Sequence, residues 1–215
     1  MPVAKIWVLA ESFEGKALSS TLEMLTKARE LGSTVEAFTW GADTDAVAGE
    51  LGAHGATKVF TTGDLGGALP GVPVAAAIAA QAEADGAPDA LLVAQSYDGR
   101  DVAGRLSAKL DTPVLTNAVG LSAEGDKLVS EHAVFGGTTM VKAEFVGASP
   151  QIFLIRPKSF AAEPSGGAAP EVATVAVPDA GATNAAKIIE RHVEERTGPK
   201  LDEAAVVVSG GRGLG

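Results

Sequence analysis

Lys5-Ile-Trp-Val-Leu-Ala10 is the stretch that decides the fold of this 215-residue chain. An apolar run without alternation is typical of a strand buried on both faces of a parallel sheet. Ser20-Thr-Leu-Glu23 then has the spacing of a capping box, with Ser20 as N-cap, and predicts a helix that ends at Leu31, before Gly32. A strand followed by a helix is the first unit of an α/β fold.

Three more strand–helix units follow this one along the chain. The predicted strands cover 34–39, 58–61 and 90–94, and the predicted helices cover 44–51, 73–84 and 101–110. Four such units imply a parallel sheet with helices on both faces.

The pattern changes after residue 110, where predicted strands are joined by short turns. These strands are Val114–Leu121, Lys127–Phe135, Thr138–Val146 and Gln151–Ile155. Strands without helical crossovers indicate antiparallel pairing. The predicted fold class is therefore α/β: a largely parallel sheet flanked by helices, a three-layer domain of nucleotide-binding type, with an antiparallel extension over 114–155.

Changes in composition divide the chain into four segments. We predict an α/β N-terminal domain over 1–160, a linker over 161–182, a connecting helix and turn over 183–203, and the start of another domain over 204–215. The linker is rich in Ala, Gly and Pro, and its segment 172–177 has the composition of an edge strand. Thr183 or Asn184 can cap the connecting helix, which is predicted to run through Glu195.

The net charge and the amino-acid composition argue against several classes of protein. A net charge of −10 argues against nucleic acid as a partner, and no apolar run is long enough to span a bilayer. The N-terminus lacks the pattern of a signal peptide. Cysteine is absent, so disulfides and thiolate chemistry are excluded, and a cytoplasmic location is predicted.

Catalytic and metal-binding patterns are missing from the sequence. His54, His132 and His192 lie in different elements, without the spacing that a metal site or an acid–base pair requires. No Gly-x-Ser-x-Gly elbow occurs. We predict no catalytic residue and no metal ligand.

Ser96 is a weaker candidate, because it follows the fourth predicted strand of the parallel sheet. Doubly wound folds place ligand groups there. The same loop can instead cap the next helix through Asp98 or Asp101, and we favour this interpretation. The first strand leads to Glu11 rather than to the Gly-x-Gly-x-x-Gly of a dinucleotide site.

The C-terminal segment contains the strongest chemical signal. Val206–Val208 is a β-branched run that leads into Ser209-Gly-Gly-Arg-Gly213. A glycine loop after a strand lets backbone N–H groups approach a phosphate, and Arg212 adds a planar cationic fork. The alternative is a terminus with no ligand.

The whole chain resembles the alpha subunit of the electron transfer flavoprotein family. The segments that carry the resemblance are Ile6–Glu11, Thr21-Leu22, Asp98–Leu110 with Arg105, Val134–Thr138, Arg156–Phe160 and Val206–Leu214. The chain departs from the family's stretches at Phe135 and Thr138, and at Gly104 in place of a proline.

The resemblance implies a role in electron transfer rather than catalysis. Ser209, Gly210, Gly211, Arg212 and Gly213 would contact FAD, with Arg212 near the flavin ring. The chain would be the scaffold part of the subunit, truncated at the entrance to its FAD-binding domain, and would not retain FAD by itself. Its extension over 114–155 would pair with a beta subunit that holds a structural AMP. Electrons would come from acyl-CoA dehydrogenases of fatty acid β-oxidation and related flavoenzymes, and pass to a membrane quinone reductase of the respiratory chain.

A different class of function stays open. The chain could be a stand-alone α/β domain that binds an adenine nucleotide through its Ser-Gly-Gly loop. In families of that kind the loop follows the first strand, whereas here it follows the last one, which makes this the weaker reading.

Overall fold

The parallel sheet predicted from the sequence is the centre of the molecule. A computed structural model of the chain describes residues 3–147, 149–192, 198, 201, 204 and 206–214. The strands of the central sheet are β1 (Val3–Leu9), β4 (Gly32–Thr39), β5 (Lys58–Thr61), β6 (Ala90–Ala94), β7 (Val114–Ala118), β11 (Gln151–Ile155) and β12 (Glu171–Thr174). Their order is β12-β5-β4-β1-β6-β11-β7, and every neighbouring pair is parallel. The α/β fold class is confirmed.

Helices cover both faces of this sheet. Helices α1 (Ser19–Leu31) and α2 (Thr44–Ala53) pack on one face, and α3 (Gly71–Asp85) and α4 (Tyr97–Leu110) pack on the other. In β1, Ile6 and Val8 face the first pair of helices while Trp7 and Leu9 face the second. Both faces of β1 are therefore buried, which explains its continuous apolar sequence.

A small antiparallel sheet joins two strands of the central one. It consists of β8 (Gly120–Glu124), β9 (Lys127–Val134) and β10 (Thr139–Glu144). The prediction of an antiparallel extension over 114–155 was wrong at both ends, because β7 and β11 are parallel neighbours. Parallel neighbours need a long crossover between them, and residues 120–144 supply it in place of a helix.

The predicted capping box of α1 was wrong. The helix begins at Ser19, and Leu18 at its N-cap makes no side-chain capping bond. The Glu23 carboxylate instead accepts a hydrogen bond from the backbone N–H of Lys158 at 2.8 Å. A tertiary contact thus takes the side chain that the local pattern assigned to the cap. The short strands β2 (Ser12–Phe13) and β3 (Lys16–Ala17) form the hairpin that precedes α1.

The predicted linker crosses the α1–α2 side of the domain. The Ser165 N–H donates to the Ala53 carbonyl at 2.7 Å, and the Glu163 N–H donates to Thr26 Oγ1 at 3.1 Å. The predicted edge strand within it is confirmed, since β12 pairs with β5. We call residues 163–170 the strap. The division of the chain into domains stays a prediction.

Beyond the linker the structure differs from the predicted helix. A 3-10 turn covers Gly181–Asn184, and residues 185–192 are not helical. The Ile188 N–H donates to the Gly67 carbonyl at 2.8 Å, so this stretch makes a tertiary backbone contact. The rest of the predicted helix, 193–195, lies outside the described residues. Among those described, no helix is long and apolar enough to cross a membrane.

Candidate functional site

The carboxyl ends of β1 and β6 form the place where this type of fold usually binds a ligand. From β1 the chain builds the sheet outward through β4 and β5 on one side, and through β6 and β11 on the other. Connections that leave in opposite directions open a crevice at the carboxyl ends of the two central strands. Glu11 follows β1 and Ser96 follows β6, so both lie at this switch point.

The protein's own side chains close this crevice. The Ser96 hydroxyl donates to Glu11 Oε1 at 2.6 Å, across the boundary between the two strands. Thr21 of α1 fixes the Glu11 backbone from below: the Glu11 N–H donates to Thr21 Oγ1 at 2.9 Å, and the Thr21 hydroxyl donates back to the Glu11 carbonyl at 3.0 Å. Glu11 is 6% exposed and Thr21 is fully buried. These three hydrogen bonds together join β1, β6 and α1 around the buried Glu11.

Ser96 has a second role at the start of α4. It is the N-cap residue, and its Oγ accepts a hydrogen bond from the Gly99 N–H at 2.8 Å. The capping interpretation of this loop is confirmed, but its assignment to Asp98 or Asp101 was wrong. The helix begins at Tyr97, ahead of both aspartates, so neither occupies the N-cap position.

The electrostatics of the switch point disfavour an anionic ligand. Burial raises the pKa of Glu11 to about 7, the hydrogen bond from Ser96 opposes the rise, and the nearby Asp98 adds to it. Desolvation also raises the pKa of Asp98, which Arg191 opposes. Two carboxyl groups occupy the position where a phosphate would bind in a nucleotide-binding fold. The two acidic groups therefore disfavour a bound phosphate at the switch point.

His54 and His132 lie against backbone carbonyl groups, whereas His192 is exposed, with its Nε2 3.5 Å from Glu190 Oε2. His54 Nδ1 lies 2.9 Å from the Glu50 carbonyl oxygen, and His132 Nδ1 lies 2.9 Å from the Thr116 carbonyl oxygen. Among the described residues, no group of three or more His, Cys, Asp and Glu side chains is placed to hold a metal ion.

The five predicted FAD contacts lie at the surface. Val206–Val208 do not form the predicted strand, and Ser209–Gly213 are exposed, with a 3-10 turn over Arg212–Leu214. The donors present are backbone N–H groups, a hydroxyl and a guanidinium, a set whose chemistry fits the phosphates and ring oxygens of a dinucleotide. An added Cβ at Gly211 or Gly213 would meet only open space, so these residues do not themselves enclose a ligand.

Sequence reasoning identified Ser96 but overlooked its partner Glu11. The two residues are 85 positions apart, and only the strand order brings them together. The available signal was positional: each residue follows a buried strand, and the first and fourth strands of such a sheet are neighbours at the switch point.

Comparison with known proteins supports the fold assignment and extends it. Residues 6–180 match the family described as "Electron transfer flavoprotein domain". The chain is 38% identical to the electron transfer flavoprotein subunit alpha of Mycobacterium leprae, over 99% of this chain and 66% of the relative. It is 34% identical to the Syntrophomonas wolfei subunit alpha, over 98% of this chain and 66% of that protein. The Megasphaera elsdenii subunit alpha is 31% identical, over 97% of this chain and 64% of that protein.

The chain thus spans about two thirds of the length of these curated relatives, at 64% to 66%. The family match covers α1 to α4 and every strand of the central sheet beyond the start of β1. The resemblance seen in the sequence is confirmed: this chain belongs to the electron transfer flavoprotein family, and the three relatives named above are alpha subunits.

Proposed function

We propose that this chain is the scaffold part of an electron carrier that transfers electrons through FAD and converts no substrate itself. The family match over residues 6–180 carries this proposal. The structure supports a scaffold role, because the Glu11–Ser96 bond closes the crevice where a doubly wound domain would bind its own ligand. The cofactor supplies the redox chemistry, and the protein sets its position and potential.

Ser209, Gly210, Gly211, Arg212 and Gly213 are the proposed FAD contacts of this chain. Their exposure is consistent with residues that complete a site together with further protein. A purified sample of the 215-residue chain is expected to show no flavin absorbance band, because five exposed residues cannot surround a dinucleotide. A bound flavin in that sample would contradict this account of the site.

Arg212 tests the same site in the assembled flavoprotein. Replacing Arg212 with alanine is expected to lower the flavin content or shift the flavin potential, because the cationic fork is lost. Arg212→Lys is the matched variant, since it keeps the charge but loses the bidentate geometry. Unchanged content and potential in both variants would remove Arg212 from the site.

The proposed partner is an electron transfer flavoprotein beta subunit that carries AMP. The contact surface that we propose is the antiparallel sheet β8–β10 with the 3-10 turn Phe135–Gly137 that joins β9 to β10, and it exposes Phe135 (84%), Met140 (52%) and Val141 (44%). Co-expression with that subunit and size-exclusion chromatography should give a complex. The double variant Phe135→Asp and Met140→Asp should abolish co-elution. The control Ile189→Asp, at an exposed apolar residue outside this surface, should leave co-elution unchanged.

The proposed electron donors are acyl-CoA dehydrogenases of fatty acid β-oxidation and related flavoenzymes, and the proposed acceptor is a membrane quinone reductase of the respiratory chain. A cytoplasmic location is proposed with them. Reduction of the assembled flavoprotein by an acyl-CoA dehydrogenase and its substrate, followed by absorbance of the flavin, tests the donor side. A flavin that stays oxidised would contradict it.

The second candidate function is a domain that binds an adenine nucleotide. The open-sheet topology favours it, but the Glu11 and Asp98 carboxyl groups at the switch point oppose it. Calorimetry with AMP and ATP separates the two functions, because micromolar binding by this chain would favour the nucleotide domain.

A further inference from the structure

A cleft of about 370 Å³ lies between α4 and the β7 edge of the central sheet. It is within the size range of natural small-molecule sites, at the lower end. The cleft is lined by Gln95, Arg100, Gly104, Val114, Thr116 and Leu154. Helix α4 covers β6 and β11 and only overhangs β7, the edge strand, which explains why space remains here.

The floor of the cleft is apolar, and one cation lies at its rim. Leu154 of β11 is 5% exposed, and Val114 of β7 packs against the same hydrophobic cluster. Arg100 is exposed and forms no ion pair within the described part of the chain, whereas Arg105, on the same helix, binds Asp101 at 2.8 Å. The Arg100 guanidinium is therefore available to an external anion.

Gly104 keeps the cleft open. It lies inside α4, where glycine costs about 1 kcal/mol relative to alanine. Its φ is not in the left-handed region, and an added Cβ would meet nothing within 4 Å. Neither backbone geometry nor close packing requires glycine at this position. Because Gly104 lines the cleft, a long side chain at this position is expected to extend into it.

Gln95 adds an unsatisfied polar group to the same wall. Its Oε1 is buried without a hydrogen-bond partner. A buried acceptor without a donor costs about 1–3 kcal/mol. If the Gln95 amide rotates toward the cleft, a ligand with a hydrogen-bond donor can satisfy its oxygen, and this contact would favour binding.

We propose that this cleft binds a small monocarboxylate with a compact apolar body and a hydroxyl or amide donor. The carboxylate would pair with Arg100, the apolar body would cover Val114 and Leu154 beside Gly104, and the donor would satisfy Gln95. A single arginine on an apolar floor suits one carboxylate, since a phosphate or diphosphate would need more donors than these residues offer.

Titration of the ¹⁵N-labelled 215-residue chain with para-hydroxybenzoate, followed by NMR, tests the site. Saturable shifts of the Gln95, Arg100 and Gly104 signals are expected, with a Kd of about 1 mM or below for a ligand of this size. Benzoate lacks the donor and the methyl ester of para-hydroxybenzoate lacks the charge, so each should bind more weakly. No saturable shift at these residues would overturn the proposal.

Variants then locate the binding. Gly104→Leu should abolish it by filling the cleft, while Gly49→Leu, at an exposed helical glycine of α2 with open space around it, should leave it unchanged. Arg100→Gln should weaken binding at least about tenfold, the equivalent of one charge-assisted hydrogen bond, and Arg105→Gln should not. Retention of binding in Gly104→Leu would place the ligand elsewhere and overturn the proposal.

Discussion

Two apolar runs of this chain have similar compositions and opposite environments. Leu91, Leu92 and Val93 of β6 are 1%, 0% and 0% exposed, whereas Val206, Val207 and Val208 are 79%, 54% and 94% exposed. Strand β6 lies between β1 and β11 and under two helices. The C-terminal run has no strand pairing within the described residues. An apolar composition therefore becomes a buried strand only where neighbours supply hydrogen bonds and cover.

The largest expected effect on stability comes from shortening a side chain in the buried run of β6. Leu92→Ala should lower the free energy of unfolding by about 2–5 kcal/mol, because it leaves a cavity in a packed sheet. Val207→Ala should change it by no more than about 0.5 kcal/mol. Urea unfolding of both variants measures the difference. Similar losses would show that the C-terminal run is buried in solution.

The next effect concerns the pH dependence of the sheet's buried network. The folded pKa of Glu11 is raised from 4.5 to about 7, so the folded state binds this proton more tightly than the unfolded chain does. The stability it contributes is fully present below pH 4.5 and is lost as the pH rises through about 7, in total about 3 kcal/mol.

Glu11→Gln should remove this part of the pH dependence, because the amide keeps the acceptor for Ser96 but does not titrate. Glu83→Gln changes an exposed carboxyl of α3 and serves as the control. The measurement is the free energy of unfolding at pH values between 5 and 8. A Glu11→Gln slope equal to that of the Glu83→Gln control would contradict the assignment.

A moderate effect tests how the strap is held against the sheet domain. An added Cβ at Gly52 would overlap the Ala168 carbonyl oxygen and lie 2.6 Å from Pro170 Cδ. Gly52→Ala should therefore cost about 1–3 kcal/mol by displacing the strap. Gly49→Ala, one helical turn earlier with nothing within 4 Å, should stabilise by up to about 1 kcal/mol.

Thermal unfolding and limited proteolysis of the strap measure this pair. Faster cleavage within residues 163–170 is expected for Gly52→Ala only. Equal cleavage in both variants would show that the strap does not depend on this close contact.

The smallest expected effect is at Arg212. Arg212→Ala in this chain should change the free energy of unfolding by less than about 0.5 kcal/mol, since the residue is exposed in a short turn. Chemical unfolding checks this value. A larger loss would mean that the C-terminal segment packs on the domain, and would weaken the contrast with β6.

The sequence predicted the helices and strands better than it predicted which strands pair. The apolar runs at β1, β4, β5 and β6 and the helices between them follow from local chemistry. Gln151–Ile155 was predicted as a strand but given an antiparallel partner, although its unbroken apolar sequence is typical of a central parallel strand. Turn signals around residues 124–127 and 147–150 described the nearest connections and carried no information on β7 and β11 pairing across them.

The candidate site was predicted in part for the same reason. The sequence placed Ser96 at the end of a strand, but it did not pair Ser96 with Glu11. Glu23 is the reverse case, in which a local motif was recognised but not used. Its spacing from Ser20 predicted a helix cap, whereas in the structure its carboxylate accepts a hydrogen bond from the Lys158 N–H. A local motif states what a side chain can do, and distant residues decide which of those bonds it makes.

The sequence by itself determined that this protein has an α/β fold, that a parallel sheet begins at Lys5–Ala10, and that a glycine-rich loop with Arg212 closes the described chain. These follow from periodicity and from backbone conformation, which depend on neighbouring residues. Only the tertiary structure decided the strand order, the closed switch point at Glu11 and Ser96, and the cleft beside Gly104. Each of these depends on which distant segments meet, because packing and burial act between residues far apart in the chain.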